Sequence, residues 1–154
     1  MIRIKKSPTA DSRTCDYKNV SRETLEESSV QHIEDVNKGL EFFRDMLHPR
    51  SRCHDWDKLT FIEEFHDNFS SGFKRHDWWD NHCKINRHHL ETPAGVPKDV
   101  NLLDVLEHIV DGVMAGLART GTYRPSDISP ELLKRAFDNT VELLLENVEV
   151  DGEQ

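Results

Sequence analysis

The chain has 154 residues, which is enough for one ordinary domain with a single core. Only 36% of the residues are apolar and 32% are charged, so the sequence predicts a small core and a well-solvated surface. The net charge of −9 argues against binding to a nucleic-acid polymer, because such binding depends on Lys and Arg side chains that neutralise phosphates. A small anionic ligand stays open, since a bound metal ion can invert the sign of the local charge.

The cysteines and the first residues bear on where the protein works. Cys15, Cys53 and Cys83 are widely spaced and form no C-x-x-C pair, so neither a zinc ribbon nor a disulfide framework is expected. The first residues are basic but lack the apolar segment of a secretory signal, and no apolar run is long enough to span a bilayer. These features predict a cytoplasmic protein with reduced thiols that does not bind a membrane.

The first half of the chain shows helical periodicity. Ser21 is a candidate N-cap for a long helix whose apolar residues recur every three to five positions, and Pro49 is expected to end it. A second helix is expected to start close to His54 and to stop at the "SSG" of residues 70–72. The segment "HDWWDNHCKINRHHLE" (76–91) predicts a shorter helix, and "TPAGVPKD" (92–99) a loop.

The second half predicts two further helices. One is capped by Asp99 or Asn101 and closed by Gly121, and it is apolar nearly all round, as expected of a central helix that packs on several sides. The other begins with Ser129 as N-cap and Pro130 as the first helical residue. We find no convincing strand signal. The predicted fold is therefore an all-α helical bundle of about five main helices, in one domain with a core over about residues 11–148 and short polar tails.

A polar stripe interrupts the otherwise apolar central helix. Asp104, Glu107, His108 and Asp111 are spaced i, i+3, i+4 and i+7, which places them along one face. A solvated face is one interpretation, but a buried carboxylate without a partner costs several kcal/mol by order of magnitude. The stripe is therefore expected to meet a polar partner, and a metal ion would be an economical one.

Histidines and carboxylates also occur in other segments. His32 lies in the first long helix, and the doublet His54-Asp55 is expected where the backbone bends into the second. His82, His88 and His89 follow later in the chain. His with carboxylate is the ligand set of Zn, Fe, Mn or Mg, so these residues are candidate ligands from different segments. Because adjacent helical side chains diverge, only one of His88 and His89 is expected to point inward.

The order of His32, the doublet in "HDWDK" (54–58) and Asp111 in "LEHIVDGVMAGL" (106–117) resembles the HD-domain superfamily of metal-dependent phosphohydrolases. The resemblance covers roughly residues 11 to 120. The doublet region and "WWDNHCKINRHHLE" (78–91) are similar to an uncharacterised, often phage-encoded branch. A more distant likeness is to the deoxynucleoside 5′-monophosphatase branch, in which an Arg before the first helix holds the phosphate, as Arg13 would here.

The resemblance implies an all-α HD-like bundle in which His32, His54, Asp55 and Asp111 hold a divalent ion (Mn, Co, Fe, Zn or Mg). His82, His88 and His89 could complete a site for a second ion, and the protein could form a homodimer. Where the nucleotidase branch commonly has an acid-base Glu, this chain has Lys58. Candidate catalytic residues are Lys58, Glu64 and Glu107, and candidate substrate contacts are Arg13, Arg52, Lys58, His82 and Trp79.

The function that these features predict is hydrolysis of a phosphate ester of a nucleotide or a similar small phosphorylated substrate by metal-activated water. Two alternatives remain open. One is a diiron oxygenase of the same superfamily. The other is a non-catalytic metal-containing protein that binds a nucleotide. The presence of Lys58 in place of the usual acid-base Glu is consistent with this alternative.

Overall fold

The computed structural model describes residues 1–7, 9, 12–74, 76–123 and 127–152. Helices dominate this part of the chain, which agrees with the predicted all-α class. The elements are β1 (Ile2–Lys5), α1 (Arg22–Cys53), α2 (Trp56–Thr60), α3 (Ile62–Ser70), α4 (His76–Ile85), α5 (Leu102–Thr120), α6 (Pro130–Glu146) and β2 (Val148–Asp151), with a 3-10 turn at Ser12–Thr14. Within the described residues, no helix combines the length and the apolar character needed to cross a membrane.

The chain clusters into two compact units. Met1–His48 and Leu143–Gln154 make up the first unit, and Pro49–Glu142 makes up the second. The organisation into a single domain stays a prediction.

The first unit contains a small parallel sheet that the sequence analysis missed. β1 pairs with β2 in the register Ile2 to Val148, and Ile2 is buried. The α1 helix lies against this ribbon, since Gln31 Nε2 donates to the Lys5 carbonyl (2.7 Å) and Lys38 Nζ donates to the Arg3 carbonyl (3.1 Å). The prediction of no strands was wrong because each strand is only four residues long and its partner lies at the other end of the chain.

The long helix α1 begins where expected but does not end at Pro49. Ser21 Oγ accepts a hydrogen bond from the backbone N–H of Thr24 (3.1 Å), as an N-cap does. The helix then continues through Pro49 to Cys53. Proline lacks an N–H and costs an internal hydrogen bond, but its fixed φ is compatible with helical backbone. As a result, His54 and Asp55 follow the end of α1 directly.

The core of the second unit fixes the loop before α5 onto α5 and α6. Its buried members are Leu90, Val100, Val105, Leu132 and Ala136. Both predicted caps are present: Asn101 and Asp104 form a capping box at the start of α5, and Leu132 N–H donates to Ser129 Oγ (3.1 Å) at the start of α6. Gly121 closes α5 with φ 68°, a left-handed conformation that glycine adopts without strain.

The expectation that α5 packs on several sides was wrong for much of its apolar surface. Buried positions of this helix are Leu103, Asp104 and Val105. Apolar side chains on its other faces are between 37% and 64% exposed, namely Leu102, Leu106, Ile109, Val110, Met114 and Leu117. On the polar stripe, Asp104 is buried and the other three residues are partly buried. This stripe contributes to the site described next.

Candidate metal centre

The His54-Asp55 doublet lies at the break between two helices. α1 ends at Cys53, α2 begins at Trp56, and Asp55 between them has φ 52° and ψ 28°. This left-handed conformation costs an L-residue about 1 kcal/mol and occurs mostly at Gly, Asn and Asp. The turn brings both side chains to one place, with His54 Nε2 3.5 Å from Asp55 Oδ2. The doublet therefore faces a common site, as its sequence suggested.

Four side chains of the second unit form a first candidate ligand group: Asp55, His82, His88 and His89. Asp55 Oδ1 lies 3.4 Å from His82 Nε2 and 3.4 Å from His88 Nε2. His89 Nε2 lies 2.9 Å from His82 Nε2. Ligand atoms around a tetrahedral ion with bonds of about 2.0–2.1 Å are roughly 3.3 Å apart, so the spacing suits one metal ion.

Several polar atoms of this group are buried without a hydrogen-bond partner among the described residues. They are Asp55 Oδ1 and both ring nitrogens of His88. Buried polar atoms are almost always paired, because an unpaired one carries the full cost of its desolvation. Coordination to a cation would pair Asp55 Oδ1 and the His88 nitrogen that faces it, so these residues fit a metal ion.

A second candidate group consists of His54, His88 and Asp111. His54 Nε2 is 3.6 Å from Asp111 Oδ1, and Asp111 is 38% exposed. Asp55 lies between the groups, with Oδ1 toward the buried histidines and Oδ2 toward His54. One group is therefore enclosed, whereas the other is open on the Asp111 side.

Other polar residues orient these imidazoles. His82 Nδ1 donates to the buried Asp57 Oδ2 (2.7 Å), and Asn86 Nδ2 donates to Asp57 Oδ1 (2.8 Å). His54 Nδ1 donates to Glu107 Oε1 (3.1 Å). A carboxylate on the far nitrogen leaves the other nitrogen with its lone pair free and raises its basicity, as is typical of metal-bound histidine.

Burial and neighbouring charge keep two histidines neutral. Burial, with the charges of His88 and His82, lowers the pKa of the His89 imidazole to about 4. Burial and the charge of His54 also lower the pKa of His88, although Asp55, Glu107 and Asp111 act in the opposite direction. Neutral imidazole is the form that binds metal ions.

Lys58 pairs with Asp55. Its ammonium group donates to Asp55 Oδ2 and remains 34% exposed. Burial raises the pKa of the Asp55 carboxyl, but the hydrogen bond and charge of Lys58, with the charges of His54 and His88, outweigh burial and hold the pKa below its usual range. Asp55 is therefore ionised at neutral pH.

The polar stripe of α5 meets polar partners, as predicted. Glu107 contacts His54, and His108 Nδ1 donates to the His88 carbonyl (2.9 Å). Asp104, which is 1% exposed, accepts from Arg50 Nη1 (2.6 Å) and from Arg87 Nε (2.9 Å) and Nη2 (2.8 Å). The hydrogen bond to Asp104 raises the pKa of Arg87 above its ordinary value. Asp104 is thus neutralised by arginines.

The expectation that only one of His88 and His89 points inward was wrong. It assumed a helix over 76–91, but α4 ends at Ile85, and a turn follows in which His89 N–H donates to the Asn86 carbonyl (3.0 Å). Outside a helix the two neighbouring side chains can converge, and both belong to the first ligand group. Asn86 is a common helix terminator, so the sequence carried a signal for this turn.

The other predicted residues fall in several places. His32 and Arg13 are exposed residues of the first unit, and neither belongs to a ligand group found among the described residues. Arg52 and Glu64 are exposed in the second unit. The Trp79 ring is half-buried, and its centroid lies 5.4 Å from that of the His82 ring and 5.3 Å from that of the His89 ring. The roles proposed for these five residues stay predictions.

Four participants were not predicted, one of which is Asn86, the donor to Asp57. Asp57 was noted only as the neighbour of Lys58, although it is buried and bonded to His82. Arg50 and Arg87 were not considered, yet both hold Asp104.

The chain was compared with known protein families, curated proteins and solved structures. No protein-family model, curated protein or solved structure matches the chain. A proposal on function therefore depends on the chain's own residues.

Proposed function

We propose that the protein is a metal-dependent phosphohydrolase that cleaves a phosphate ester of a nucleotide or a similar small phosphorylated substrate. The observation that carries the proposal is the convergence of His82, His88 and His89 on Asp55 Oδ1, with the oxygen and both His88 nitrogens unpartnered among the described residues. The His-Asp doublet and the later Asp111 also resemble the HD-domain pattern. A divalent ion held there would polarise a phosphoryl oxygen and lower the pKa of bound water.

The residues around the two groups suit an anionic substrate. The open side is bordered by His54, Lys58 and Asp111, whose side chains are 34–38% exposed, so a substrate can approach there. Lys58 offers a cationic donor next to Asp55, where an anion would meet the centre. Glu107 holds the His54 ring through Nδ1, which leaves Nε2 toward Asp111. We assign Glu107 a positioning role.

The two ligand groups share His88, and Asp55 Oδ2 is already paired with Lys58. Because a neutral imidazole binds an ion through one nitrogen, the arrangement favours one ion held by the first group.

One observation favours a second candidate function. His54, His88 and Asp111 form a set of two histidines and one carboxylate, which is the ligand set of many non-haem iron oxygenases. Under this alternative the purified protein would hold iron and consume O₂ with an organic substrate.

Metal analysis combined with a phosphate-release screen tests the proposal. The metal-free protein is loaded with Mn, Co, Zn or Mg and assayed on nucleoside mono-, di-, tri- and cyclic phosphates. We expect release with at least one ester, and loss of it in His54→Ala and Asp55→Asn. His66→Ala, which changes an exposed histidine of α3, is the matched control.

Three outcomes contradict the proposal in different ways. Activity that survives both substitutions would exclude the site. Iron with O₂ uptake would favour the oxygenase. Tight nucleotide binding without turnover would favour the non-catalytic alternative.

A further inference from the structure

The first candidate ligand group offers as many ligand atoms as a four-coordinate ion can bind. Asp55 supplies one oxygen, and His82, His88 and His89 supply one ring nitrogen each. A set rich in imidazole favours Zn or Co, and four protein ligands leave such an ion no position for a substrate. Catalytic ions of this type are held by three protein ligands. For the proposed hydrolysis, one of the four ligands would therefore have to leave.

Three members of the group are held firmly by their surroundings. Asp55 Oδ2 accepts a hydrogen bond from Lys58, which leaves Oδ1 toward the imidazoles. His82 is fully buried, and its Nδ1 donates to Asp57 Oδ2 (2.7 Å). His88 is 1% exposed, so its ring is enclosed. Displacing any of these three ligands would disturb a buried side chain or an ion pair.

His89 is the least constrained of the three histidines. Its Nε2 lies 2.9 Å from His82 Nε2, whereas its Nδ1 makes no hydrogen bond within the described part of the chain. The side chain is partly exposed, and its ring meets Trp79 edge-on with 5.3 Å between centroids. No carboxylate fixes the orientation of this imidazole, in contrast to that of His82.

His89 also borders a cavity of about 320 Å³ in the second unit. Leu90 and Leu132 belong to the wall of this cavity, and so does Asp127, whose carboxylate could accept a hydrogen bond from an imidazole. The cavity exceeds the volume of an imidazole ring. Rotation about the side-chain bonds of His89 could therefore move its ring away from the other ligands and into this space.

We infer that His89 is an exchangeable ligand, which completes the coordination of the ion in the resting protein and gives up its position to an oxyanion. The bond from His89 Nε2 breaks, the neutral ring leaves with its lone pair, and an oxygen of the anion takes the position. The inference deepens the proposed function and rests on it, since it states how a site with four protein ligands admits a phosphate group.

Titration of the Co-loaded full chain with inorganic phosphate tests the inference without turnover. The visible absorption of Co changes when a ligand binds to the ion, so the titration gives the dissociation constant of phosphate. If the state with His89 displaced makes up a tenth or less of the resting protein, His89→Ala should bind phosphate at least about tenfold more tightly. Loss of a purely structural contact would not raise this affinity.

The affinity for Co distinguishes the exchangeable ligand from a fixed one. His82→Ala, which removes a buried ligand, should lower the Co affinity by at least about 100-fold, and His89→Ala by less than about tenfold. Circular dichroism checks that each variant is folded, and His89→Gln repeats the test with a side chain closer in size to imidazole. His66→Ala, at an exposed histidine of α3, should leave both constants unchanged.

The outcomes separate this inference from the proposed function. If His89→Ala and His89→Gln lose Co as severely as His82→Ala, or bind phosphate no more tightly than the unsubstituted protein, the inference is overturned, even in a protein that hydrolyses phosphate esters. Tighter phosphate binding by both His89 variants, in a protein that releases phosphate from no ester, would support the exchangeable ligand and reject the hydrolase.

Discussion

Asp55 and Asp104 are two shielded carboxylates of the same unit with opposite surroundings. Asp104 is 1% exposed and receives three N–H donors from Arg50 and Arg87. Asp55 has a salt bridge to Lys58 on one oxygen, but its other oxygen is buried with no hydrogen-bond partner among the described residues and faces two imidazoles. Where the protein itself supplies the opposite charge, a carboxylate stabilises the fold. Where the protein supplies no opposite charge to a carboxylate oxygen, that oxygen is available to bind a cation.

The largest expected effect is on folding, from a change at the paired carboxylate. Asp104→Asn leaves two arginines with a partner that no longer carries charge, and removing one partner of a buried ion pair typically costs about 3 kcal/mol or more. Urea unfolding should show that loss, whereas Asp99→Asn, at a 74% exposed partner of Arg87, should change stability by less than about 0.5 kcal/mol. Equal stability of Asp104→Asn and Asp99→Asn would show that the arginine pairs of Asp104 do not stabilise the fold.

In the first candidate ligand group, a substitution should change the stability little and the metal affinity strongly. His88→Leu removes two unpartnered ring nitrogens, so the metal-free protein should keep its stability within about 1 kcal/mol or gain some. Its affinity for Zn or Mn should fall by at least about 100-fold, since a shared ligand is gone. Chelator competition measures the affinity, with His66→Leu as control. Unchanged affinity would mean that the cluster does not hold the ion.

A smaller effect on metal affinity is expected from Asp57, which contacts a candidate ligand and is not one itself. Asp57→Asn retains the shape but weakens the acceptor for His82 Nδ1, so metal affinity should fall by about 10- to 100-fold. The same chelator competition applies, with Asp67→Asn at an exposed position of α3 as control. A variant as weak as His88→Leu would instead make Asp57 a direct ligand.

The remaining prediction concerns the pH dependence of the metal-free protein. The His89 pKa is about 4 in the folded state and 6.5 as the ordinary value, so the unfolded chain binds more protons between these values. Stability is therefore full above about pH 6.5 and declines as the pH falls toward 4. Thermal unfolding of the metal-free protein across this range should show the decline, and His89→Gln should make it shallower, with the remaining slope from His88, whose pKa is also lowered. An unaltered slope in His89→Gln would assign the decline to other groups.

Local patterns predicted most helices and caps, but the second predicted helix was wrong as a single element, because the backbone at Phe61 leaves the helical conformation and divides it into α2 and α3. Ser21, Asn101, Gly121 and Ser129 act at helix ends as their residue types suggest. The two short strands escaped detection because their pairing joins opposite ends of the chain, which a local pattern cannot show. The continuation of α1 through Pro49 was missed because proline weakens a helix without always ending it.

Part of the candidate site could also be predicted from the sequence. His54, Asp55 and Asp111 were predicted as ligands. The structure places Asp55 with the three later histidines in one group, and His54 and Asp111 with His88 in the other. The roles of Asp57, Arg50 and Arg87 were not readable, because an acid or base in a charged sequence is most often solvated. Their burial depends on how α1, α4 and α5 pack, which residue types alone do not determine.

The left-handed backbone at Asp55 limits which residues the position can accept. Only Gly, Asn and Asp adopt this conformation without appreciable strain, and of these only Asp offers an anionic oxygen to a cation. Replacement by Glu would keep the charge but strain the turn, and replacement by Gly would relax the turn but delete the ligand. If this site holds a metal ion, natural variation at residue 55 should be nearly absent in relatives that bind it, and relatives that do not should have Asn or Gly there.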